Sequence, residues 1–279
     1  MSLVCPVCGA ALACGGGACR CEKGHSFDRA RSGYINLFLD PSSRGHGDDK
    51  AMLRARRAFL EAGWYAPLAE AVSREAARRL PPGGSLTDAG CGEGYYTEAV
   101  LNALAAAGKA HSAFAFDISK EAARMTAVRL RDRAAVFVAS AYHVPLASAS
   151  QDLVLSLFSP YARAEFARIL KPGGVLLRLV PAPDHLWELK EALYEAPRRN
   201  APDPEEADPF FESAAEIPVR RRMRLSGEIL QDLFEMTPYA KNTAPADREK
   251  LRALDAMSVT MSCKVLLSKK ACEDAPGCV

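Results

Sequence analysis

The sequence lacks several features that define common classes of protein. No run of about 18 apolar residues occurs, so we expect no helix that spans a membrane. The first residues, Met1 to Pro6, show no basic segment followed by an apolar one, so we expect no secretory signal and a cytoplasmic protein. Internal repeats are also lacking, and a formal net charge of +2 is too small to predict nucleic-acid binding by itself.

The nine cysteines are distributed in a way that argues against a framework of disulfides. Five precede residue 22, Cys91 stands alone, and the other three are Cys263, Cys272 and Cys278. An odd number of clustered cysteines without a secretory signal is typical of a reducing compartment and of a metal site. Residues 1–38 are also poor in long apolar patterns, and so small a unit usually needs a metal or a cross-link to fold.

Two short motifs in this N-terminal segment predict a structural zinc site. Their spacings are C-x2-C and C-x3-H, twelve residues apart, and the ligands they predict are Cys5, Cys8, Cys21 and His25. Three thiolates and one imidazole can surround Zn²⁺ tetrahedrally, and a closed set of four ligands is structural rather than catalytic. Cys19 is an alternative to Cys21, and the role of Cys14 also stays open. Cys21 is favoured because Cys19 lies in a glycine-rich stretch.

The rest of the chain alternates between short apolar runs and helical patterns. Strands are predicted over residues 85–89, 112–116, 135–139, 153–157 and 175–180, with helices over 97–107, 120–131 and 162–170. Repeated units of this kind predict an α/β domain over 81–279, with a parallel sheet covered on both faces. A helical linker is predicted over 39–80, which begins with a loop. Later, a mobile segment over 198–217 precedes strands over 219–225 and 259–267 and a helix over 227–236.

A glycine-rich turn follows the first of these strands and opens a helix. It reads Asp88, Ala, Gly90, Cys, Gly92, Glu, Gly94, and its glycines allow a tight turn and close approach of a ligand. A dinucleotide-binding fingerprint needs its third glycine at position 95, which is a tyrosine here. The spacing instead resembles motif I of class I methyltransferases, which implies a Rossmann-like fold and S-adenosylmethionine as cofactor.

That resemblance implies roles for several residues. Asp88 is expected near the cationic amino and sulfonium end of the cofactor. Asp117, 23 residues beyond Gly94, is expected to accept hydrogen bonds from the ribose hydroxyls, and Ile118 to pack on the adenine. Ala141 belongs to a segment that resembles the loop beside the adenine. The alternative for a lone glycine turn is a purely structural role, but the spacing of Asp117 favours the cofactor.

Taken together, these residues resemble the RlmA family of 23S rRNA (guanine-N1)-methyltransferases, which includes macrolide-resistance methyltransferases. The resemblance covers nearly the whole chain, from the zinc motifs through residues 25–28, 33–37, 47–49, 55–65, 88–97, 183–190 and 236–239. It implies 23S rRNA as the partner, and a cofactor pocket that includes Tyr65, Tyr96, Thr97 and His185. Alternatively, the tyrosines are core aromatics and His185 satisfies a buried backbone group. Residues 240–242 depart from the family, which often has an aromatic there.

The contacts with the target base are less specific in the sequence. Residues 158–161 follow a strand at the place where methyltransferases often hold the target base, so Ser159 and Tyr161 are candidates for base contact or stacking. Basic clusters that could bind phosphates are Arg29 and Arg31; Arg54, Arg56 and Arg57; and Arg220, Arg221, Arg222 and Arg224. Two alternatives stay open: a methyltransferase for another RNA or a small molecule, and a non-catalytic zinc-dependent RNA-binding protein. Whether the chain forms a homodimer is also open.

Overall fold

The computed structural model describes residues 2–40, 47–201 and 208–271. Residues 41–46 of the loop predicted over 39–50, residues 202–207 of the predicted mobile segment, and Cys272 and Cys278 lie outside the described residues. Among the residues that the structure describes, no helix is long and apolar enough to cross a membrane, as the sequence predicts.

The N-terminal segment forms a small antiparallel sheet. Its strands are β1 (Leu12–Gly15), β2 (Ala18–Cys21) and β3 (Ser26–Asp28). The turn between β1 and β2 contains Gly16 and Gly17, both with positive φ, a conformation that glycine adopts without steric cost. This sheet carries the two predicted zinc motifs at its ends.

A sheet of eight strands forms the centre of the fold. In chain order the strands are β4 (Ile35–Asn36), β5 (Gly84–Ala89), β6 (His111–Asp117), β7 (Ala135–Val138), β8 (Gln151–Leu157), β9 (Leu170–Pro181), β10 (Phe211–Ser226) and β11 (Ala256–Lys270). Their spatial order is β10-β11-β9-β8-β5-β6-β7-β4. The predicted parallel sheet is confirmed for β4 to β9. The last two strands extend it antiparallel, so the sheet is mixed.

Nine α-helices are described around the strands. They are α1 (Lys50–Glu61), α2 (Ala66–Arg79), α3 (Tyr95–Ala106), α4 (Lys120–Leu130), α5 (Arg163–Ile169), α6 (Trp187–Leu193), α7 (Gly227–Glu235), α8 (Tyr239–Asn242) and α9 (Pro245–Arg252). α1 begins where the Asp49 side chain accepts a hydrogen bond from the Met52 N–H at 2.9 Å, a typical N-cap. The predicted break between the first two helices is confirmed at Gly63, whose φ is 80°.

Alternate residues of each strand face opposite sides of the sheet, so the fold has two cores. In β8, Leu153 and Leu155 belong to the core under α1 to α4, while Val154 belongs to the core on the other face. Phe166 of α5 and Phe137 lie in this second core, where both are fully buried. Both faces of the sheet are therefore covered, as the unbroken apolar runs predict.

The N-terminal module is one of the covering layers of this sheet. Leu3 and Leu12 are buried in the same core as Phe137, and β4 pairs directly with β7 at the sheet edge. α1 and α2 pack in the opposite core. The predicted boundaries at residues 38 and 80 stay a proposal, and the packing adds that both N-terminal units share their cores with the sheet.

One prediction about the C-terminal part was wrong. Residues 211–217, which were predicted as part of a mobile segment, form the first half of β10, and this strand pairs with β11 over its length. The strand lies at the edge of the sheet. Proline lacks an N–H, and Pro218 is tolerated here because the outer side of an edge strand has no neighbouring strand to accept a hydrogen bond. The exposed, proline-containing sequence therefore had the composition of a loop, and only its pairing with β11 makes it a strand.

Candidate functional site

The glycine turn lies between the end of β5 and the start of α3. Gly90, Gly92 and Gly94 have φ values of 79°, 55° and 88°, which a side chain would make unfavourable. The N–H groups of Gly90 and Cys91 both donate to the carbonyl oxygen of Phe116, at 2.9 and 3.0 Å. A Cβ atom at Gly90 would lie 2.6 Å from Cβ of Ser159, so this turn and the loop after β8 touch each other.

Asp88, the last acidic residue before the turn, has one satisfied and one unsatisfied oxygen. Its Oδ2 accepts a hydrogen bond from Oγ1 of Thr97 at 2.5 Å, whereas its buried Oδ1 has no protein partner. Burial raises the pKa of this carboxyl group to about 7. A buried polar atom without a partner is unfavourable, so Oδ1 is suited to a cationic or hydrogen-bonding group of a ligand.

Asp117 ends β6 and is oriented by the backbone of the glycine turn. Its Oδ2 accepts the Gly92 N–H at 3.0 Å, and its Oδ1 accepts the Ser119 N–H at 2.8 Å. Burial raises the pKa of Asp117, and these two N–H donors act in the opposite direction. Each carboxylate oxygen has a second lone-pair direction available for a ligand hydroxyl.

A cavity of about 810 Å³ lies above the turn, and its size is within the range of about 300–1,000 Å³ that ligand sites occupy. The predicted residues that line it are Tyr65, Asp88, Gly90, Gly92, Tyr96, Asp117, Ile118, Ala141, Ser159 and His185. Their convergence at the carboxyl ends of β5, β6 and β8 matches the position of ligand sites in open α/β sheets. Neighbours that the sequence did not single out include Tyr142, Phe158, Asn200 and Tyr239.

Three predicted residues lie outside this lining. Gly94 is the N-cap of α3 and packs against Thr126, and Thr97 acts behind Asp88. The hydroxyl of Tyr161 donates to Asp208, and the guanidinium of Arg178 covers its ring at 3.8 Å from the centroid. Tyr161 therefore packs beside the second core instead of facing the cavity. Thr97 is fully buried, so its role is to orient the carboxyl group of Asp88.

One wall of the cavity is aromatic. Tyr65 is 3% exposed, and its hydroxyl lies 3.4 Å from Nε2 of His185. The His185 Nδ1 accepts the backbone N–H of Ser262 at 3.2 Å, and burial lowers the pKa of this imidazole to about 4. His185 is therefore neutral at pH 7 with its proton on Nε2, which donates to Tyr65. The hydroxyl proton of Tyr65 is then available to an acceptor in the cavity.

Phe158 completes this wall, although no sequence pattern indicated a role for this residue. Its ring centroid lies 6.2–6.4 Å from those of Tyr65, Tyr96 and His185, and 43% of the residue is exposed. Its φ of 53° is uncommon for a residue with a bulky side chain and is typical of strained functional positions. The sequence feature that could have indicated Phe158 is its position directly after the predicted strand 153–157, next to the candidates Ser159 and Tyr161.

Ser159 itself ties the loop to the turn. Its Oγ donates to the carbonyl oxygen of Ala89 at 2.7 Å and lies 2.9 Å from Oγ of Ser156. These bonds, together with the close approach to Gly90, fix the loop that carries Phe158. Ser159 lines the cavity, but its hydroxyl is occupied by the protein.

The predicted zinc ligands converge in the N-terminal module, where Cys5 and Cys21 are buried in the second core. Their donor atoms all lie within 4.8 Å of one another. The Nδ1 of His25 is 3.3 Å from Sγ of Cys21 and 3.5 Å from Sγ of Cys5, and the Sγ atoms of Cys8 and Cys21 are 3.7 Å apart. Tetrahedral coordination with Zn–S of about 2.3 Å and Zn–N of about 2.0 Å separates the ligand atoms by roughly 3.5–3.8 Å. The donor set and its spacing therefore fit Zn²⁺.

Cys14 and Cys19 form a disulfide across β1 and β2, where they are paired in the register of the hairpin. Their Cα atoms are 4.0 Å apart. Both thiols are therefore committed, which favours Cys21 over Cys19 as the ligand. The disulfide differs from the expectation that all cysteines are reduced. This pair was not predicted, because residues 14 and 19 face each other only in the register of the hairpin.

Comparison with known proteins gives matches over both parts of the chain. Residues 3–39 match a family model described as the N-terminal zinc ribbon of RlmA, and residues 87–178 match a methyltransferase domain. A geranyl diphosphate C-methyltransferase from Streptomyces coelicolor superimposes with a TM-score of 0.48 at 15% identity, over 84% of this chain and 90% of that chain.

Three curated proteins align over most of the chain. A putative 23S rRNA (guanine-N1)-methyltransferase from Micromonospora griseorubida is 36% identical over 96% of both chains. A 23S rRNA (guanine(748)-N1)-methyltransferase from Streptomyces fradiae is 35% identical over 87% of both chains. A putative 23S rRNA (guanine-N1)-methyltransferase from Bacillus subtilis is 34% identical over 95% of this chain and 96% of its own length.

Proposed function

Because the chain belongs to the family of 23S rRNA (guanine-N1)-methyltransferases, we propose that it transfers a methyl group from S-adenosylmethionine to N1 of a guanine in a 23S rRNA hairpin. The observation that carries this proposal is a cavity that is lined by two carboxyl groups and an aromatic wall. Asp88 and Asp117 supply the carboxyl groups, and Tyr65, Phe158 and His185 supply the aromatic wall. This activity implies that the protein works in the cytoplasm.

The acidic side of the cavity is suited to the cofactor. The unpartnered Oδ1 of Asp88 can accept from the cationic amino group, and Asp117 can accept from the ribose hydroxyls while the turn holds its carboxylate in place. Ile118, which follows Asp117 in the chain, and Ala141 also line the cavity and supply an apolar surface for a purine ring. The bound cofactor supplies an electrophilic methyl group, so the chain's own contribution is alignment of the reactants.

The aromatic side is suited to the guanine. Phe158 presents its exposed ring next to the glycine turn, and a guanine that stacks on it would be held close to that turn. His185 cannot take the proton from N1 of guanine, because its Nδ1 accepts a backbone hydrogen bond and its Nε2 carries a proton. The imidazole instead fixes the direction of the Tyr65 hydroxyl, which makes it a positioning residue.

The test is methylation of 23S rRNA that lacks the modification. Purified protein is incubated with S-adenosylmethionine carrying a labelled methyl group, and the nucleosides of the RNA are then separated. N1-methylguanosine is the expected product. Label in another nucleoside, or tight cofactor binding without any transfer, would contradict the proposal.

Asp117→Ala is the matched loss-of-function variant. It removes the proposed ribose contact and the acceptor for the Gly92 N–H, so we expect calorimetry to detect no cofactor binding. The variant should stay folded because Asp117 stands at the end of β6 rather than within it. Unchanged cofactor affinity in a folded Asp117→Ala protein would contradict the assignment of the pocket.

A further inference from the structure

A short extended segment at the start of the chain joins the zinc site to a wall of the cavity. Leu3 forms an antiparallel bridge with Leu146. The Val4 N–H donates to the carbonyl oxygen of Pro145 at 3.0 Å, and the Ala147 N–H donates to that of Ser2 at 2.8 Å. Residues 2–4 therefore pair with residues 145–147 as a strand pairs with its neighbour.

The other edge of the same segment pairs with the zinc module. The Leu12 N–H donates to the carbonyl oxygen of Leu3 at 3.0 Å, and the Cys5 N–H donates to that of Ala10 at 2.8 Å. Cys5, which directly follows Val4, is one of the four zinc ligands. The segment therefore lies as a middle strand between the β1–β2 hairpin of the zinc module and the loop at 145–147.

This loop is continuous with the proposed adenine side of the cavity. Residues 139–142 line the cavity, and the chain turns back at once, with the His143 N–H donating to the carbonyl oxygen of Ser140 at 3.1 Å. Val144 and Leu146 then point into the second core, where they are buried with Leu3 and Leu12. One short loop therefore forms the cavity wall at its beginning and the contact with the zinc module at its end.

Other hydrogen bonds to this loop determine what happens if the module loosens. Arg168 of α5 donates to the carbonyl oxygens of Val144 and Leu146, each at 2.8 Å, and does not depend on the metal. The Leu37 N–H donates to the carbonyl oxygen of Val138 at 3.1 Å, just before the cavity-lining residues. The disulfide between Cys14 and Cys19 closes only the β1–β2 hairpin and leaves residues 2–5 untethered. Loss of the metal should therefore loosen the loop without unfolding it.

We propose that the zinc module is a structural part of the cofactor site, because the metal-bound module holds the loop 139–147 that forms one wall of the cavity. This inference rests on the proposed cofactor pocket. Small zinc-binding units usually fold only with their metal, so the order of residues 2–5 is coupled to zinc. Cofactor affinity is coupled to zinc in turn, through the main-chain bonds of Ser2 and Val4.

The first test measures cofactor affinity as a function of zinc content. The purified full-length protein with one bound zinc is titrated with S-adenosylmethionine by calorimetry, before and after removal of zinc with a chelator. We expect the Kd to rise roughly five- to tenfold, the effect of losing one or two hydrogen bonds, and to recover when Zn²⁺ is restored. Circular dichroism checks that the zinc-depleted protein keeps its main sheet.

A substitution at Val4 separates the connection from the metal itself. Val4→Pro removes the N–H that donates to Pro145 and leaves all four zinc ligands in place, whereas Val4→Ala keeps the N–H. We expect both variants to bind one zinc, and only Val4→Pro to bind the cofactor more weakly. This pair keeps the proposal testable if removal of zinc unfolds the protein.

The coupling must also act in the reverse direction, because linkage between two binding sites is reciprocal. Saturating S-adenosylmethionine should lower the equilibrium loss of zinc to a competing chelator by the same factor. Equal cofactor affinity with and without zinc, or in Val4→Pro and Val4→Ala, would overturn the inference. An untreated protein that binds no cofactor would instead contradict the proposed function.

Discussion

At the scale of single residues, the carboxyl group of Asp88 makes cofactor binding depend on pH. Burial raises its pKa to about 7, so a large fraction is protonated in the free protein at neutral pH. A bound cation favours the ionised form, and below pH 7 the group must release a proton before it can pair. Cofactor affinity should therefore fall as the pH drops below about 7.

We expect the Kd for S-adenosylmethionine to rise by about fivefold when the pH is lowered from 7 to 6, because the ionised fraction of a group with a pKa of about 7 falls from about one half to about one tenth and the proton must leave before the cofactor binds. Calorimetry in buffers with different ionisation enthalpies measures that proton directly. Asp88→Asn keeps an acceptor for Thr97 but cannot ionise, so its affinity should be weaker and flat over this range. An equally steep profile in the variant would assign the proton to another group.

Phe158 is the residue at which the proposed contact with guanine can be separated from contact with the cofactor. Phe158→Ala should lower kcat/KM for 23S rRNA by about ten- to a hundredfold, because stacking of a base on an aromatic ring contributes roughly 1–3 kcal/mol. The Kd for S-adenosylmethionine should stay within about twofold, since the acids that hold the cofactor are unchanged.

Phe158→Tyr is the matched control for this effect, because it keeps a ring of similar size on the same strained backbone. It should retain most of the methylation rate. If Phe158→Ala methylates the RNA as fast as the unmodified protein, the ring does not hold the base.

At the scale of elements, the turn after β5 and the loop after β8 are built to touch. Gly90→Ala would place a Cβ atom 2.6 Å from Cβ of Ser159, in addition to the strain of a φ of 79°. Gly108 follows α3 with a φ of 63°, and a Cβ there meets nothing within 4 Å. The two positions therefore share the backbone strain and differ in the collision.

We expect Gly108→Ala to lower the free energy of unfolding by about 1 kcal/mol, and Gly90→Ala to lower it by about 1–3 kcal/mol more. Denaturant unfolding measures both values. Gly90→Ala should also weaken methylation, because the loop that carries Phe158 must move away. Equal destabilisation of the two variants would mean that the loop after β8 moves aside without a measurable loss of stability.

At the scale of the whole molecule, a row of arginines follows the edge strand β10. Arg222 and Arg224 are exposed on the face opposite the buried Met223 and Leu225. Arg220 lies on the same face as Arg222 and pairs with Asp184. The row gives one edge of the sheet a positive surface that the net charge of the chain does not reveal.

Replacement of both Arg222 and Arg224 by Ala should weaken rRNA binding and reduce the slope of log K against log salt by about 1 to 2. Arg78→Ala is a suitable control, since Arg78 lies about 20 Å along α2 from Tyr65 at the cavity. Binding measured at several salt concentrations distinguishes them. Identical slopes for all variants would exclude β10 from the RNA surface.

Much of this protein is determined by local sequence. The zinc ligands, the glycine turn and the alternation of strands and helices depend on spacings of a few residues, and for these the physical reason is short-range: metal geometry, φ values open only to glycine, and side-chain periodicity. The positions of Asp88 and Asp117 follow equally, because the carboxyl ends of neighbouring parallel strands share one edge of a sheet.

The tertiary structure decided what no local pattern contains. Phe158 became part of the cavity, and Tyr161 turned away from it, because the loop that holds both is fixed by the packing of Ser159 against Gly90. The edge strand β10 and the pairing of residues 2–4 with 145–147 need partners that are distant in the chain. Long-range hydrogen bonding and packing select these contacts only when the whole sheet is assembled, so a sequence read in short windows does not reveal them.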